Sequence, residues 1–400
     1  MYKKAIHVGD LQFGMYIAEL DRPWTDTPFM FQGFYLQTER QLEALRKYCR
    51  QVFVDAARSD PSALARARQA AVSPPPATPG FQVRGTATYP GGTALEREIH
   101  VAGELYEQAT KTLRGLFAQL AAGNTALDGK EIDASVRKLA DCVIRNPDAL
   151  LLMSKMRDTT GAAYARALQV CVYMMVFARF LQLERDQIHL LGLLGLLQDI
   201  GKARLPGIVL EHKFALTPEG EEVYRKHVEL SAHILAVTSG LPPKLPAFAL
   251  LHHERQDGRG YPRGLKGYQI GLNGSIAAIC DRYDQLLAPA PYGEGRAPSA
   301  AVNVLLGERG SAFHGPLLEQ FIRCLGSFPV GTVVELNSGE CAVVVAENAM
   351  QRLKPKVVLA HRRQLVDLAT DTTPSGEPYR IRRALEQQIL QFDPRNLLPN

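Results

Sequence analysis

His252-His253-Glu254-Arg255-Gln256-Asp257-Gly258-Arg259-Gly260-Tyr261-Pro262 decides how this chain of 400 residues is read. Two adjacent histidines close an apolar stretch, Phe248-Ala249-Leu250-Leu251, and set two imidazoles side by side as candidate metal ligands. Divalent transition metals take neutral imidazole together with carboxylate. The segment after them reads as a tight loop, because Gly admits unusual dihedrals and Pro locks φ.

Outward from this stretch, Asp199 and Lys202 lie upstream, followed by His227. Downstream, Asp281 follows Ile276-Ala277-Ala278-Ile279-Cys280. Acidic and imidazole side chains from several helices, pointing into a bundle, are how helical proteins build di-metal sites. Each residue alone has a plainer reading. A histidine in an apolar helix is commonly a hydrogen-bonded core residue, Asp199 could be held by backbone N–H groups at a helix end, and Asp257-Gly258 could be a simple turn. Their joint occurrence in this order favours a site.

Composition narrows the class. Hydrophobic residues make up 46% and charged residues 22%, which excludes a mainly disordered chain. Lys and Arg total 46 against 41 Asp and Glu, a net charge of +5. That balance argues against a protein that works by coating nucleic acid, and no nucleic-acid partner is expected. The longest apolar run, Val170 to Ala178, is about half of what spans a bilayer, and no signal-type segment follows Met1. A cytoplasmic protein without membrane insertion is expected. Six scattered cysteines (Cys49, Cys142, Cys171, Cys280, Cys324, Cys341) read as reduced and mostly buried.

Periodicity divides the chain. Residues 1–57, with Met15-Tyr16-Ile17, Val52-Phe53-Val54 and a helical stretch around Gln41 to Cys49, read as a small α+β domain. Residues 58–93, centred on Ser73-Pro74-Pro75-Pro76-Ala77-Thr78-Pro79-Gly80, read as a linker. A helical lead-in over 94–145 carries an amphipathic stretch marked by Ile99, Leu105, Leu113, Leu116 and Leu120. The region 146–315 is mostly helical, and Leu168 to Leu181 looks buried on most faces. Three β-type runs, Thr332 to Leu336, Cys341 to Ala346 and Lys356 to Leu359, suggest a small barrel-like β unit over 316–368. Residues 369–400 remain as a tail. The fold class is multidomain and mainly α, an all-α helical bundle between two small β-containing parts.

The segment from about Tyr164 to Tyr292 resembles the HD-GYP domains of bacterial cyclic di-GMP phosphodiesterases. His-His-Glu-x-x-Asp-Gly-x-Gly-Tyr-Pro stands complete from His252 to Pro262. Asp281-Arg282-Tyr283-Asp284-Gln285-Leu286 also looks like the family. Gly14-Met15-Tyr16 and Leu20-Asp21-Arg22-Pro23-Trp24 resemble the domain of unknown function that precedes HD-GYP in many proteobacterial proteins. Phe328-Pro329-Val330-Gly331 looks like the usual C-terminal extension.

The resemblance implies two metal ions. One would take Asp199, His227, His252 and His253. The other would take Asp199 and Asp281 with two further residues, at positions that read Arg166 and Gln198 here. Ala162 stands where the family opens its site with a glutamate, and Gln198-Asp199 stands where the name-giving His-Asp pair belongs. Guanidinium cannot bind metal and an amide oxygen binds iron or manganese poorly, so one ion or none is expected. Lys202 resembles the family's phosphate-facing lysine and, with Asp199, is the expected catalytic pair, while Arg166 could replace the missing cation electrostatically. Ligand recognition looks eroded as well, because Ser275 and Ala290-Pro291-Tyr292 stand where arginines are common.

These departures favour a degenerate HD-GYP protein in cyclic di-GMP signalling, regulatory or scaffolding, with absent or weak catalysis. Asp257, Gly258, Gly260, Tyr261 and Pro262 would then form a partner surface, with diguanylate cyclase (GGDEF) proteins as the implied partners. The alternatives are a metal-dependent phosphodiesterase that opens cyclic di-GMP to pGpG or GMP, and a sensor that binds without cleaving. Other signals carry less. Leu191-Gly192-x-x-Gly195 reads as close helix packing and not as a phosphate loop, and the arginines at 362, 363, 380, 382 and 383 as a solvated face. His189, His212, His233, His314 and His361 match no ligand position.

Overall fold

The computed structural model describes residues 3–8, 11, 13–22, 27, 29, 33–49, 51–55, 58, 83–89, 92–124, 127–155, 163–207, 217–288, 295–348 and 351–385. Ala162, Trp24, His212, Ala290-Pro291-Tyr292 and the centre of the expected linker lie outside them. Two compact units form, Met1–Thr78 with Ala349–Lys354, and Pro79–Asn348 with Pro355–Asn400.

The first unit is α+β. Strands β1 (Lys3–His7), β2 (Tyr16–Leu20), β3 (Phe34–Tyr35) and β4 (Gln51–Asp55) form an antiparallel sheet in the order β1-β4-β2-β3. Helix α1 (Glu39–Tyr48) starts at a reciprocal cap. Thr38 Oγ1 accepts from the Gln41 N–H at 3.3 Å, and Gln41 Oε1 accepts from the Thr38 N–H at 3.0 Å. Two donors that a helix start leaves unpaired are thereby partnered. Leu42 and Leu45 then point into a core with Ile17, Leu36, Val52 and Val54.

The second unit is mainly helical. Residues 83–89, expected as linker, are tied to the bundle: the Gly85 N–H donates to Leu181 O and the Ala87 N–H to Gln182 O. Helix α2 (Leu95–Ala121) buries Ile99, Ala102, Tyr106, Ala109, Leu113, Leu116 and Leu120. Tyr106 takes the core position expected of Leu105, because the 3.6-residue period carries the buried stripe one residue further on. Helices α3 (Lys130–Arg145) and α4 (Pro147–Lys155) lead to α5 (Ala163–Phe180). Leu168, Cys171, Val172, Met174, Met175, Phe177 and Ala178 of α5 are all fully buried, which makes it the bundle's central helix.

Helix α6 (Arg185–Leu197) packs on α5 through its glycines. A Cβ on Gly195 would sit 2.8 Å from the Cys171 Cα, so Leu191-Gly192-x-x-Gly195 is indeed a close-packing face. A 3₁₀ turn (Ile200–Arg204), α7 (Pro218–Arg225), α8 (His227–Val237), α9 (Leu245–Ala249), a second 3₁₀ turn (Gly267–Ile270), α10 (Gly271–Leu287), α11 (Pro298–Gly307) and α12 (Gly315–Leu325) follow.

Strands β5 (Val333–Leu336), β6 (Cys341–Ala346), β7 (Lys356–Leu359), β8 (Gln364–Asp367) and β9 (Ile381–Ala384) form an antiparallel sheet in the order β8-β7-β6-β5-β9. It is an open sheet and not the expected barrel, with β8 and β9 at its edges. The stretch expected as a tail supplies β9, whose arginines mask it in sequence. Arg382 and Arg383 both pair with Glu335 of β5. Of the six free cysteines, Cys49, Cys142, Cys171 and Cys280 are buried, and Cys341 is exposed. No described helix is long and apolar enough to cross a membrane.

Candidate metal centre

Close backbone approach assembles the site. Helix α6 ends at Gln198, and Asp199 leads into the first 3₁₀ turn. A Cβ on Gly201 would lie 2.2 Å from the His227 carbonyl oxygen and 2.5 Å from the Ser231 nitrogen. With only hydrogen there, α8 packs directly on the turn, the Gly201 N–H donates to Ser231 Oγ at 2.8 Å, and His227 at the head of α8 reaches Asp199. His252 and His253 come from the turn just after α9.

Four residues converge. Asp199 Oδ1 lies 3.2 Å from His227 Nε2 and 3.4 Å from His252 Nε2, and His253 Nε2 lies 3.2 Å from His227 Nε2. One ligand atom from each of Asp199, His227, His252 and His253 lies within 4.8 Å of all the others. The imidazoles are oriented from behind. His227 Nδ1 sits 2.6 Å from the Tyr224 carbonyl and His252 Nδ1 2.7 Å from the Ala249 carbonyl. A carbonyl only accepts, so each Nδ1 carries a proton, and in the neutral imidazole this leaves the Nε2 lone pair free for a metal. Burial, and then the neighbouring His252, hold His253 well below the usual histidine range, so it is neutral. Burial alone would raise Asp199, but the Lys202 ammonium at 2.6 Å opposes it first, and the carboxyl is held well below its usual range. Asp199 Oδ1 and His252 Nε2 are buried without an aligned hydrogen-bond partner. Three imidazoles, a carboxylate and buried polar atoms without aligned partners fit a transition-metal dication.

The loop that follows braces this group. Gly260 passes so close to the chain behind it that a Cβ would lie 2.5 Å from the His253 carbonyl oxygen and from the Glu254 Cα. Tyr261 is thereby laid on His253, ring centroids 4.6 Å apart, and its N–H donates to His253 O at 3.2 Å. Glu254, 1% exposed, accepts from the backbone N–H groups of Arg263 at 2.8 Å and Leu265 at 2.9 Å. Arg255 pairs with both oxygens of Asp257 and lowers that carboxyl to about 2. Gly258 adopts φ 77°, a left-handed conformation that favours glycine.

Arg166, Asp281 and Gln198 are placed differently. Arg166 reaches from α5 with Nε 2.7 Å from Asp284 Oδ2 and Nη2 3.3 Å from Asp281 Oδ1. Asp281 Oδ2 accepts from Gln285 Nε2 at 2.5 Å and stays 4.0 Å from His253 Nδ1. Asp281 is therefore near the four-residue group, with both oxygens engaged by protein donors. Gln198 is 1% exposed and neither amide atom has a hydrogen-bond partner; the Ser275 hydroxyl is likewise buried and unpartnered. His189 pairs with Asp133, His314 caps α12, and His233 and His361 are exposed, all apart from the centre. Sequence reasoning missed Asp284, Gln285 and the bracing by Glu254. The first two share a helix face with Asp281 at spacings of three and four, a signal that was available.

Residues 3–127 match a domain of unknown function, DUF3391, and residues 151–317 match the HD domain. A cyclic di-GMP phosphodiesterase of Pseudomonas aeruginosa is 30% identical over 394 residues, covering 98% of this chain and 92% of its own length. This chain belongs to the HD-GYP family. A cyclic di-GMP phosphodiesterase response regulator of Xanthomonas campestris pv. campestris is 33% identical over 147 residues, 36% of this HD-GYP chain and 39% of that relative. Among solved structures, an HD-GYP-type protein from Bdellovibrio bacteriovorus aligns with 80% of this chain and 98% of its own, at 14% identity and a TM-score of 0.46. Within this HD-GYP domain, the histidines and Asp199 make a group able to hold a metal, and Arg166 occupies the neighbouring ground between Asp281 and Asp284.

Proposed function

We propose that this protein is a regulatory member of the cyclic di-GMP system, whose centre carries a single divalent ion, iron or manganese, and turns the dinucleotide over far more slowly than a two-ion site. The observation that carries this reading is the guanidinium of Arg166 lodged on Asp281 and Asp284, beside the donor group of Asp199, His227, His252 and His253. A bound ion supplies Lewis-acid charge for a phosphoryl oxygen and lowers the pKa of a coordinated water. The chain's own residues do the rest. The carbonyls of Tyr224 and Ala249 orient His227 and His252, and Tyr261 backs His253. Burial works against the Lys202 charge, but Asp199 holds its pKa above the ordinary lysine range, so a cation stays beside the centre to meet phosphate. Gln198, a neutral amide, supplies no charge to a second ion.

The loop over Asp257, Gly258, Gly260, Tyr261 and Pro262 is well braced, which supports its use as a rigid contact surface for protein partners such as diguanylate cyclases. The expected site of action is the cytoplasm.

The test is anaerobic incubation of cyclic di-GMP with the protein loaded with ferrous or manganous ion, products separated by chromatography, beside an Asp199→Ala control. The expected result is nucleotide retained on wild type and lost in the control, with product forming only slowly on wild type and not above background in the control. A second reading, a working phosphodiesterase, draws on the intact donor group and on Lys202 at 2.6 Å from Asp199. Sustained hydrolysis that Asp199→Ala abolishes would establish it instead.

A further inference from the structure

Asp281 and Asp284 lie one turn apart on α10, both buried. Two buried carboxylates this close need countercharge to remain ionised. Burial pushes Asp284 up, and Arg166 pulls it back. Arg166 also feels Asp199, so its guanidinium lies within electrostatic reach of all three carboxylates around the centre. The contacts are specific: Nε on Asp284 at 2.7 Å and Nη2 on Asp281 at 3.3 Å, with Gln285 closing the remaining oxygen of Asp281 at 2.5 Å. Behind Asp284, the Lys155 ammonium hydrogen-bonds the Tyr173 hydroxyl and adds a second cation within reach of that carboxylate. Asp199 has Lys202. Three carboxylates thus face three cations, and the region is balanced before any ion binds.

We infer that Arg166 is a built-in counter-cation that withdraws Asp281 and Asp284 from metal chemistry, so that the ion is held by Asp199, His227, His252 and His253 without Asp281. The inference rests on the single-ion reading above and assigns which residues that ion does and does not use. It makes Arg166 a positioning residue that acts through Asp281. The flat guanidinium engages two carboxylates at once, a geometry an ammonium matches poorly.

The test compares wild type with Asp281→Asn, Arg166→Met, Arg166→Lys and the double variant Arg166→Met/Asp284→Asn. Bound manganese per chain is counted by elemental analysis, and melting is followed in chelator. Asp281→Asn is expected to keep one ion with affinity within about 3-fold of wild type, against the 10–100-fold loss typical when an interaction that supports a metal is removed. Metal-free Arg166→Met is expected to melt roughly 10 °C below wild type, because two buried carboxylates lose their partner. The double variant recovers at least half of that drop, and Arg166→Lys falls between. Loss of the ion in Asp281→Asn would overturn the inference and leave the single-ion reading standing. So would an Arg166→Met protein that melts with wild type. Two ions in the wild type would instead overturn the single-ion reading itself.

Discussion

Replacing Glu254 by alanine should loosen the loop that braces the metal centre, by an amount the structure allows to be worked out. Its carboxylate accepts two backbone N–H groups, from Arg263 at 2.8 Å and from Leu265 at 2.9 Å, and is 1% exposed. Hydrogen bonds to a charged group contribute about 1.5–3 kcal/mol each, so the pair is worth about 3–6 kcal/mol at most. Any water that reaches the freed N–H groups in the alanine variant returns part of this. A net loss of about 3 kcal/mol is expected for local opening. That corresponds to amide exchange at Arg263 and Leu265 about 100-fold faster, measured by hydrogen exchange under conditions where reclosing outruns chemical exchange. Glu254→Gln keeps one accepting oxygen and turns an NH₂ toward the other N–H, so it should lie between wild type and alanine. Because Gly260 and Tyr261 ride on this loop against His253, manganese affinity should fall in the same order. Exchange at those two amides within about 2-fold of wild type would refute the reasoning, since it would mean the loop holds its shape without the carboxylate.

Gly201→Ala should weaken metal binding about 10–100-fold while leaving the helical content intact, because a Cβ 2.2 Å from the His227 carbonyl oxygen must push α8 away from Asp199; titration with manganese reads this out. Gly195→Ala should cost about 1–3 kcal/mol in denaturant unfolding, more than Gly192→Ala, because its Cβ meets the Cys171 backbone, whereas at Gly192 the nearest atoms belong to the Met175 side chain. Asp148→Asn should stabilise the bundle only toward neutral and higher pH. Burial raises the Asp148 carboxyl from 3.8 to about 7, with the Glu347 backbone N–H, Arg179 and Lys356 pulling the other way. Between these values the native state holds a proton that the unfolded chain has shed, so wild-type stability falls as pH rises through the window. The variant should remove that fall, and parallel melting curves of the two proteins from pH 4 to pH 8 would contradict it.

The run from His252 to Pro262 was legible because its chemistry is local. The two imidazoles are adjacent, and the glycines and proline that fold the loop back onto His253 lie within nine residues of it. Helical periodicity likewise exposed α5 as a buried helix and Leu191-Gly192-x-x-Gly195 as a packing face. The edge strand β9 was not legible, since its adjacent Arg382 and Arg383 break any apolar alternation and its partner strand β5 lies 45 or more residues away. The opened sheet, in place of a barrel, has the same cause: strand order depends on pairings between segments that sequence patterning does not relate.

The four donor residues, Arg166, Gln198 and Asp281 were nameable from sequence, but their alliances were not. Spacing and motif pointed to an imidazole and carboxylate site, and the family resemblance set arginine and glutamine at positions where ligands are expected. Only the tertiary structure decided that Arg166 turns inward onto Asp281 and Asp284, more than 110 residues away, and that Gln285 closes the last oxygen of Asp281. Motifs record contiguous backbone geometry, whereas the energy of a buried charge is set by whichever groups the packing of α5 on α10 brings within a few ångströms of it.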